Sequence, residues 1–309
     1  MQQFTKHFNE ITESDLPETG AKAATLGILY QKNNIPYIAE GFVVTAAAYR
    51  YFINYNRSTE KLQTILQNLN ADNTDSLDET ALKCQKIITN GKMPQQLETA
   101  ITQAYHSYFS ESQEVAVRGS VTAYMPNTAD TYLNISGTIA LSFAVKCCFA
   151  SLFTEESLRY LLNNNLSVSD IGMGVIIQKM VRSDIGASGT VAVSGNTITL
   201  KSIFGLGELL PTDEAEPDIF IFDYNTENNT LLSKRQGKKS RMYVYADHAA
   251  GTNSTLLKIT PAGLREHFSL TDDEALNLIE WTQHGYTDFE WAKDGISNRF
   301  YLINTYGLS

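Results

Sequence analysis

The sequence predicts an α+β protein in two lobes, a helix-rich one over residues 1–180 and a sheet-rich one over 181–309. Three observations carry this. Apolar residues recur at helical spacing through most of the first third. From Ser188 onward the pattern alternates, as in Thr190-Val191-Ala192-Val193 and Ile198-Thr199-Leu200 about a turn at Gly195-Asn196. Between the two textures an apolar run, Val175-Ile176-Ile177, passes into the polar, glycine-punctuated stretch from Gln178 to Gly189. That is the pattern of a buried strand leaving a core for a loop.

Helices are expected at 21–31 and 45–55, then near 59–69, 77–90 and 94–109. Ser76 with Glu79 reads as a capping box for the 77–90 helix, and Pro94 suits the first turn of the next. Val115 to Arg118 is a short strand entering an irregular loop over 119–130, with helices following near 138–151 and 154–163. A strand at 175–181 closes the first lobe. In the second lobe the 190–200 hairpin is followed by strands at 219–222 and 242–245. Thr271 with Glu274 caps a helix running to Gln283, and 289–292 with 299–303 form a last hairpin around Asp294-Gly295. There is no internal repeat and no low-complexity tract.

Composition narrows the function classes. Charged residues make up 19% and hydrophobic ones 43% of 309 residues, a globular balance. The formal net charge of -10 argues against a nucleic-acid partner, whose phosphates require a basic surface. No stretch reaches the roughly 18–20 apolar residues of a membrane span, and the N-terminus carries no apolar signal core. Cys84, Cys147 and Cys148 give neither metal spacing nor a disulfide framework, so a reduced, cytoplasmic setting is expected.

Nine segments in order resemble one family. They are Gly20 to Gly27; Ile35-Pro36 with Gly41 to Thr45; Val115 to Arg118; Met125-Pro126 with Asp130 to Asn134; Cys148 to Thr154; 177–189; Gly205-Leu206-Gly207-Glu208 with Pro217-Asp218; Phe268 to Asp272; and Glu290 to Gly295. Together they make the chain similar to the N-terminal nucleotide-binding domain of phosphoenolpyruvate synthase and pyruvate phosphate dikinase. The resemblance implies an ATP-grasp-like fold with a nucleotide cleft between the lobes, and ATP and Mg²⁺ as ligands. It implies an ATP-dependent phosphotransferase, kinase-like in its chemistry. A phosphoryl or pyrophosphoryl group would pass to a histidine on a separate protein or to a small-molecule acceptor.

The same resemblance assigns roles. Lys22 and Arg118 are the phosphate-binding and catalytic cations, although by residue type alone Lys22 is a solvated surface lysine and Arg118 a structural ion-pair partner. Asn127 and Thr131 belong to the phosphate loop. Gln178, Lys179, Met180 and Val181 are the adenine hinge, where Met180 by itself reads as core filling. Glu290 and Asn304 hold the metal, as hard oxygen donors suit Mg²⁺.

Departures leave an alternative open. The family's last strand commonly ends in Gln-x-Arg-Pro, where this chain has Asn304-Thr305-Tyr306-Gly307. Asn127 stands where relatives carry glycine. His248-Ala249-Ala250-Gly251 has a trace of the family's phosphohistidine wording but reads as an exposed loop. The alternative is a catalytically degenerate nucleotide-binding or interaction module.

Overall fold

The computed structural model describes residues 3–308 apart from 33–36, 68, 70, 72, 124, 127–130, 213, 215, 225–228 and 247–254. The chain is α+β. Its contacts separate two units with a break between Met180 and Val181, residues 37–39 joining the second.

The first unit holds β1 (Thr5–His7), α1 (Leu16–Thr19), α2 (Ala21–Gln31), β2 (Gly41–Val44), α3 (Ala46–Tyr55), α4 (Ser58–Leu66), α5 (Thr74–Thr89), α6 (Gln95–Tyr108), β3 (Val115–Val121), β4 (Thr131–Ile135), α7 (Thr138–Ala150), α8 (Glu155–Asn163) and β5 (Met173–Lys179). Its strands form one antiparallel sheet in the order β1-β2-β5-β3-β4. Val115 and Val117 of β3 and Val175 and Ile177 of β5 point from one face into the main core, among Phe52, Tyr105 and Phe149 of the helices. Removal of this apolar surface from water holds helices and sheet together. Cys84 and Cys148 are buried there as small hydrophobes, and burial pushes the Cys84 thiol up to about 11.

The second unit holds β6 (Ala187–Ser194), β7 (Thr197–Phe204), β8 (Asp218–Asp223), β9 (Thr230–Arg235), β10 (Arg241–Tyr245), β11 (Thr255–Ile259), α9 (Ala262–Arg265), α10 (Asp272–Ile279), β12 (Tyr286–Lys293) and β13 (Phe300–Leu308). Six strands run β13-β12-β6-β7-β8-β9, and β10 pairs with β11 apart from them. Alternation sorts the six-stranded sheet into two faces. Val191, Ile198, Leu200, Phe220, Phe222, Phe289 and Trp291 are buried on one, with Leu278, Ile279 and Trp281 supplied by α10 and the turn after it. Thr190, Thr199, Lys201, Ile219, Ile221, Asp288 and Glu290 occupy the other and are partly or fully exposed.

On the buried face Asp218 is a structural hub. Its carboxylate accepts from the Gly237 N–H at 2.9 Å and from both the N–H and the hydroxyl of Ser269 at 2.7 Å, and it pairs with Lys239. The two charged side chains are 0% and 1% exposed. The motif residues Pro217-Asp218 and Phe268-Ser269 thus include a device that ties two loops to one strand.

Several local expectations are corrected. The Ser76–Glu79 capping box does not form. Helix α5 begins at Thr74, and the side chain of Asn73 accepts from the Ser76 N–H at 3.1 Å, an earlier cap of equal strength. Pro94 sits just before α6 rather than inside it. Strand β3 continues to Val121, so the irregular segment is shorter than 119–130. The whole first sheet beyond β3 and β5 escapes periodicity, because β2 is Gly-Phe-Val-Val, buried throughout and without alternation. The Thr271–Glu274 box is present, with the Glu274 N–H donating to Thr271 Oγ1 at 3.2 Å. Among the described residues no single helix is long and apolar enough to cross a membrane.

Candidate functional site

In the first unit Arg118, Thr131 and Gln178 lie on the sheet face opposite the main core, whereas Lys179 pairs with Val115 and so belongs to the other face. Arg118 and Ser120, two residues apart on β3, share that face. Arg118 stands directly opposite Thr131 of β4 on one side and Ile176 of β5 on the other. Gln178, 2% exposed, opposes Ala116 in the same ladder and so lies on the same face. Helix α2 is fastened over this face at its N-terminus, where the Ala23 N–H donates to Ser120 Oγ at 3.0 Å. Gly20 makes the approach possible. Its φ is +79°, and a Cβ there would stand 2.2 Å from the Ser120 carbonyl oxygen. Lys22 is the second residue of α2, exposed, on a first turn that carries no acidic residue. A helix N-terminus with a lysine beside it, next to an arginine and a threonine hydroxyl, is suited to anionic phosphate. Asn127 and His248 lie outside the described residues.

The hinge stretch is committed in part to its own framework. The Lys179 N–H donates to the Glu40 carbonyl at 2.8 Å and the Met180 N–H to the Glu114 carbonyl at 3.1 Å. The Val181 carbonyl accepts from the Tyr245 hydroxyl at 3.0 Å, and its side chain packs with Ala39 and Ala292 in the second unit. Met180 is 7% exposed.

In the second unit Glu290 of β12 and Asn304 of β13 are register partners and project from the open face of the sheet. A one-residue bulge lies on either side of this stretch of the ladder. Two oxygen-bearing side chains opposed in this way suit a hard cation that takes few protein ligands and completes its shell with water and phosphate. Among the described residues no group of three or more His, Cys, Asp or Glu forms a preassembled metal cage. Sequence reasoning missed Asp288, a second carboxylate on the same face two residues before Glu290. The signal was the spacing itself, Asp-Phe-Glu-Trp with alternate residues pointing out.

Tyr306 is the other surprise. Its hydroxyl donates to Glu290 Oε1 at 2.7 Å. Tyr306 is exposed as a whole, but local desolvation, then the hydrogen bond to Glu290 and its charge, push the phenol up to about 12, so it stays protonated throughout the physiological range. A neutral donor therefore sits against the proposed metal carboxylate.

A cavity of about 460 Å³ also opens in the second unit, with Phe204, Met242, Val244, Ile259 and Leu264 among its walls. Ala187 and Phe204, which line it, are paired on the buried side of the sheet, opposite Glu290. None of the residues given a phosphate, adenine or metal role lines it, although Asp184, Ser269, Lys293 and Gly295 of the family-like segments do.

Comparison with known proteins bears on what these groups serve. The model of the pyruvate phosphate dikinase AMP/ATP-binding domain matches residues 16–308. A phosphoenolpyruvate synthase of Aquifex aeolicus is 34% identical over 96% of this chain and 38% of its own length. Those of Helicobacter pylori and Escherichia coli are 29% and 28% identical, over 97% and 96% of this chain. The chain spans about two-fifths of the length of these relatives. It belongs to the pyruvate phosphate dikinase AMP/ATP-binding domain family.

Proposed function

We propose that the chain is the ATP-handling component of a phosphoenolpyruvate synthase-like phosphotransferase. It takes Mg·ATP and passes a phosphoryl or pyrophosphoryl group to a histidine on a separate protein or to a small molecule. Lys22 and Arg118 offset phosphate charge, and Thr131, opposite Arg118, donates its hydroxyl. Asn127, outside the described residues, is the remaining phosphate contact proposed. Gln178, Lys179 and Met180 flank the adenine. The Val181 N–H, which donates to no described residue, reads its edge. Glu290 and Asn304 hold Mg²⁺, whose charge, when bound, screens the terminal phosphates and orients them. The cytoplasm is the setting proposed for this chemistry.

The observation that carries the reading is the facing pair Glu290 and Asn304, two hard oxygen donors on an otherwise open sheet face. Family membership supplies the nucleotide. A second reading, a nucleotide-binding module without turnover, is favoured by Tyr306, whose hydroxyl occupies one oxygen of Glu290. The test is release of AMP, ADP and phosphate from Mg·ATP by the purified chain, alone and with a phosphohistidine-domain protein. Turnover in either mixture supports the first reading. ATP bound without turnover in both supports the second. Lys22→Ala and Arg118→Ala are each expected to weaken ATP binding or turnover by about tenfold or more, the scale of a lost charge-assisted contact. Unchanged affinity and rate in both variants would remove their assigned roles.

A further inference from the structure

The open face of the six-stranded sheet carries a continuous row of register partners. Asn304 pairs with Glu290, Glu290 with Thr190, Thr190 with Lys201, Lys201 with Ile219, and Ile219 with Arg235. Residues directly opposed in a ladder share a face, so all six project the same way. The parallel row one pleat along runs Asp288, Ala192, Thr199, Ile221, Ser233 and contains no cation. These rows place two carboxylates on β12 and two cations, on β7 and β9, across from them, while Asp223 of β8 shares the face one pleat further along, opposite Thr197.

Lys201 is exposed, while its neighbours Leu200 and Ser202 are buried on the opposite face. Among the described residues Lys201 makes no ion pair, and neither do Lys61, Lys86 and Lys258, so what sets Lys201 apart is its place in line with Glu290. In a chain with a net charge of -10, an unpaired lysine in line with a carboxylate site is a cation kept available.

We infer that Lys201 is a phosphate-binding cation of the second unit, acting on the polyphosphate of the nucleotide whose metal Glu290 and Asn304 hold. The inference rests on the nucleotide reading above. The spacing supports it. Adjacent strands lie about 4.8 Å apart, so Lys201 is about 10 Å from Glu290 along the row and Arg235 about 19 Å. A Mg²⁺ ion keeps its phosphate oxygens within about 2.1 Å. A phosphate held at Glu290 therefore lies over β12 and β6, within reach of an ammonium on a four-carbon stem rooted on β7. Thr190, between the two, adds a hydroxyl on the same face. Arg235 is two strands too far to touch the same group. Lys201 thus supplies a positive charge that the last strand, with neutral Tyr306 on Glu290, does not.

The test is calorimetric titration of ATP and of AMP, with Mg²⁺ at fixed ionic strength, into the unsubstituted chain, Lys201→Ala, Lys201→Arg and Arg235→Ala. AMP lacks the phosphates concerned and serves as the internal reference. Lys201→Ala is expected to weaken ATP about tenfold or more and leave AMP unchanged, with Lys201→Arg recovering most of the loss. Arg235→Ala should leave both affinities within about twofold, since a change at that distance is screened. The inference is overturned if Lys201→Ala leaves the ratio of ATP to AMP affinity unchanged, or if Arg235→Ala lowers it equally, which would indicate only a diffuse field. If the unsubstituted chain binds neither nucleotide, the nucleotide reading itself falls and this inference with it. Both alanine variants lie on an open face and should melt with the parent, because exposed substitutions change stability little.

Discussion

Asp218 and Glu290 are carboxylates of one sheet on its two opposite faces. Asp218 is wholly buried, and its oxygens take two N–H donors, a hydroxyl and an ammonium. Glu290 is half-buried, with one oxygen on the Tyr306 hydroxyl. The same chemical group is a rivet in one place and the proposed metal ligand in the other. What separates them is how completely the fold has saturated their lone pairs. A saturated buried charge has nothing left to offer a substrate, and an under-saturated one at an open face has.

The largest expected effect breaks the rivet. Asp218→Ala leaves the Lys239 ammonium buried without its counter-charge, and should cost about 3–5 kcal/mol in urea unfolding. A loss under about 1 kcal/mol would mean that the pair is solvated and that the contrast with Glu290 is one of degree.

Glu290→Gln probes the other pole. It should leave urea stability within about 0.5 kcal/mol, because the face is open and the amide oxygen still accepts from Tyr306. Its expected loss is about tenfold in ATP affinity with Mg²⁺ present, and little with Mg²⁺ absent. A large fall in stability with unchanged Mg²⁺ dependence would move Glu290 into the structural class.

Asp294 stands between the extremes and sharpens the series. It caps the turn between β12 and β13. Burial raises its carboxyl, but the N–H groups of Ser297, Arg182 and Ile296 outweigh that and bring it below the ordinary 3.8. A carboxyl lowered on folding adds stability that is complete above its unfolded value. That stability is lost as pH falls from about 4 through the lowered folded value. Because the group is partly solvated the effect should be small, about 1 kcal/mol or less. Asp294→Asn is expected to flatten the acid limb of the stability curve by that amount. An unchanged limb would show that the turn does not depend on the ionised form.

The Asp-Phe-Glu-Trp stretch shows what could and could not be read in advance. Alternation told which residues point outward, and the resemblance singled out Glu290. Neither revealed that Asn304 is its register partner, because the bulges at Asp288–Phe289 and Glu290–Trp291 shift the pairing. Lys201 was unreadable for the same reason. A lysine among alternating residues is an ordinary surface charge until the ladder β12-β6-β7 is known. In the first unit the resemblance singled out Arg118. Its partnership with Thr131 and the fastening of α2 to Ser120 depend on contacts far apart in the chain. Strand β2 went unseen because a strand buried on both faces has no periodicity to read.

The sequence by itself determined the texture of the two halves, the Thr271 cap and the family. Each of these is written in local pattern, propensity or contiguous wording. The tertiary structure alone decided which carboxylate is buried and satisfied, which faces a partner, and which cation stands in line with it. Those are properties of strand register and burial. Register is set by the packing of whole faces, and a shift of one residue would send every side chain of a strand to the opposite side.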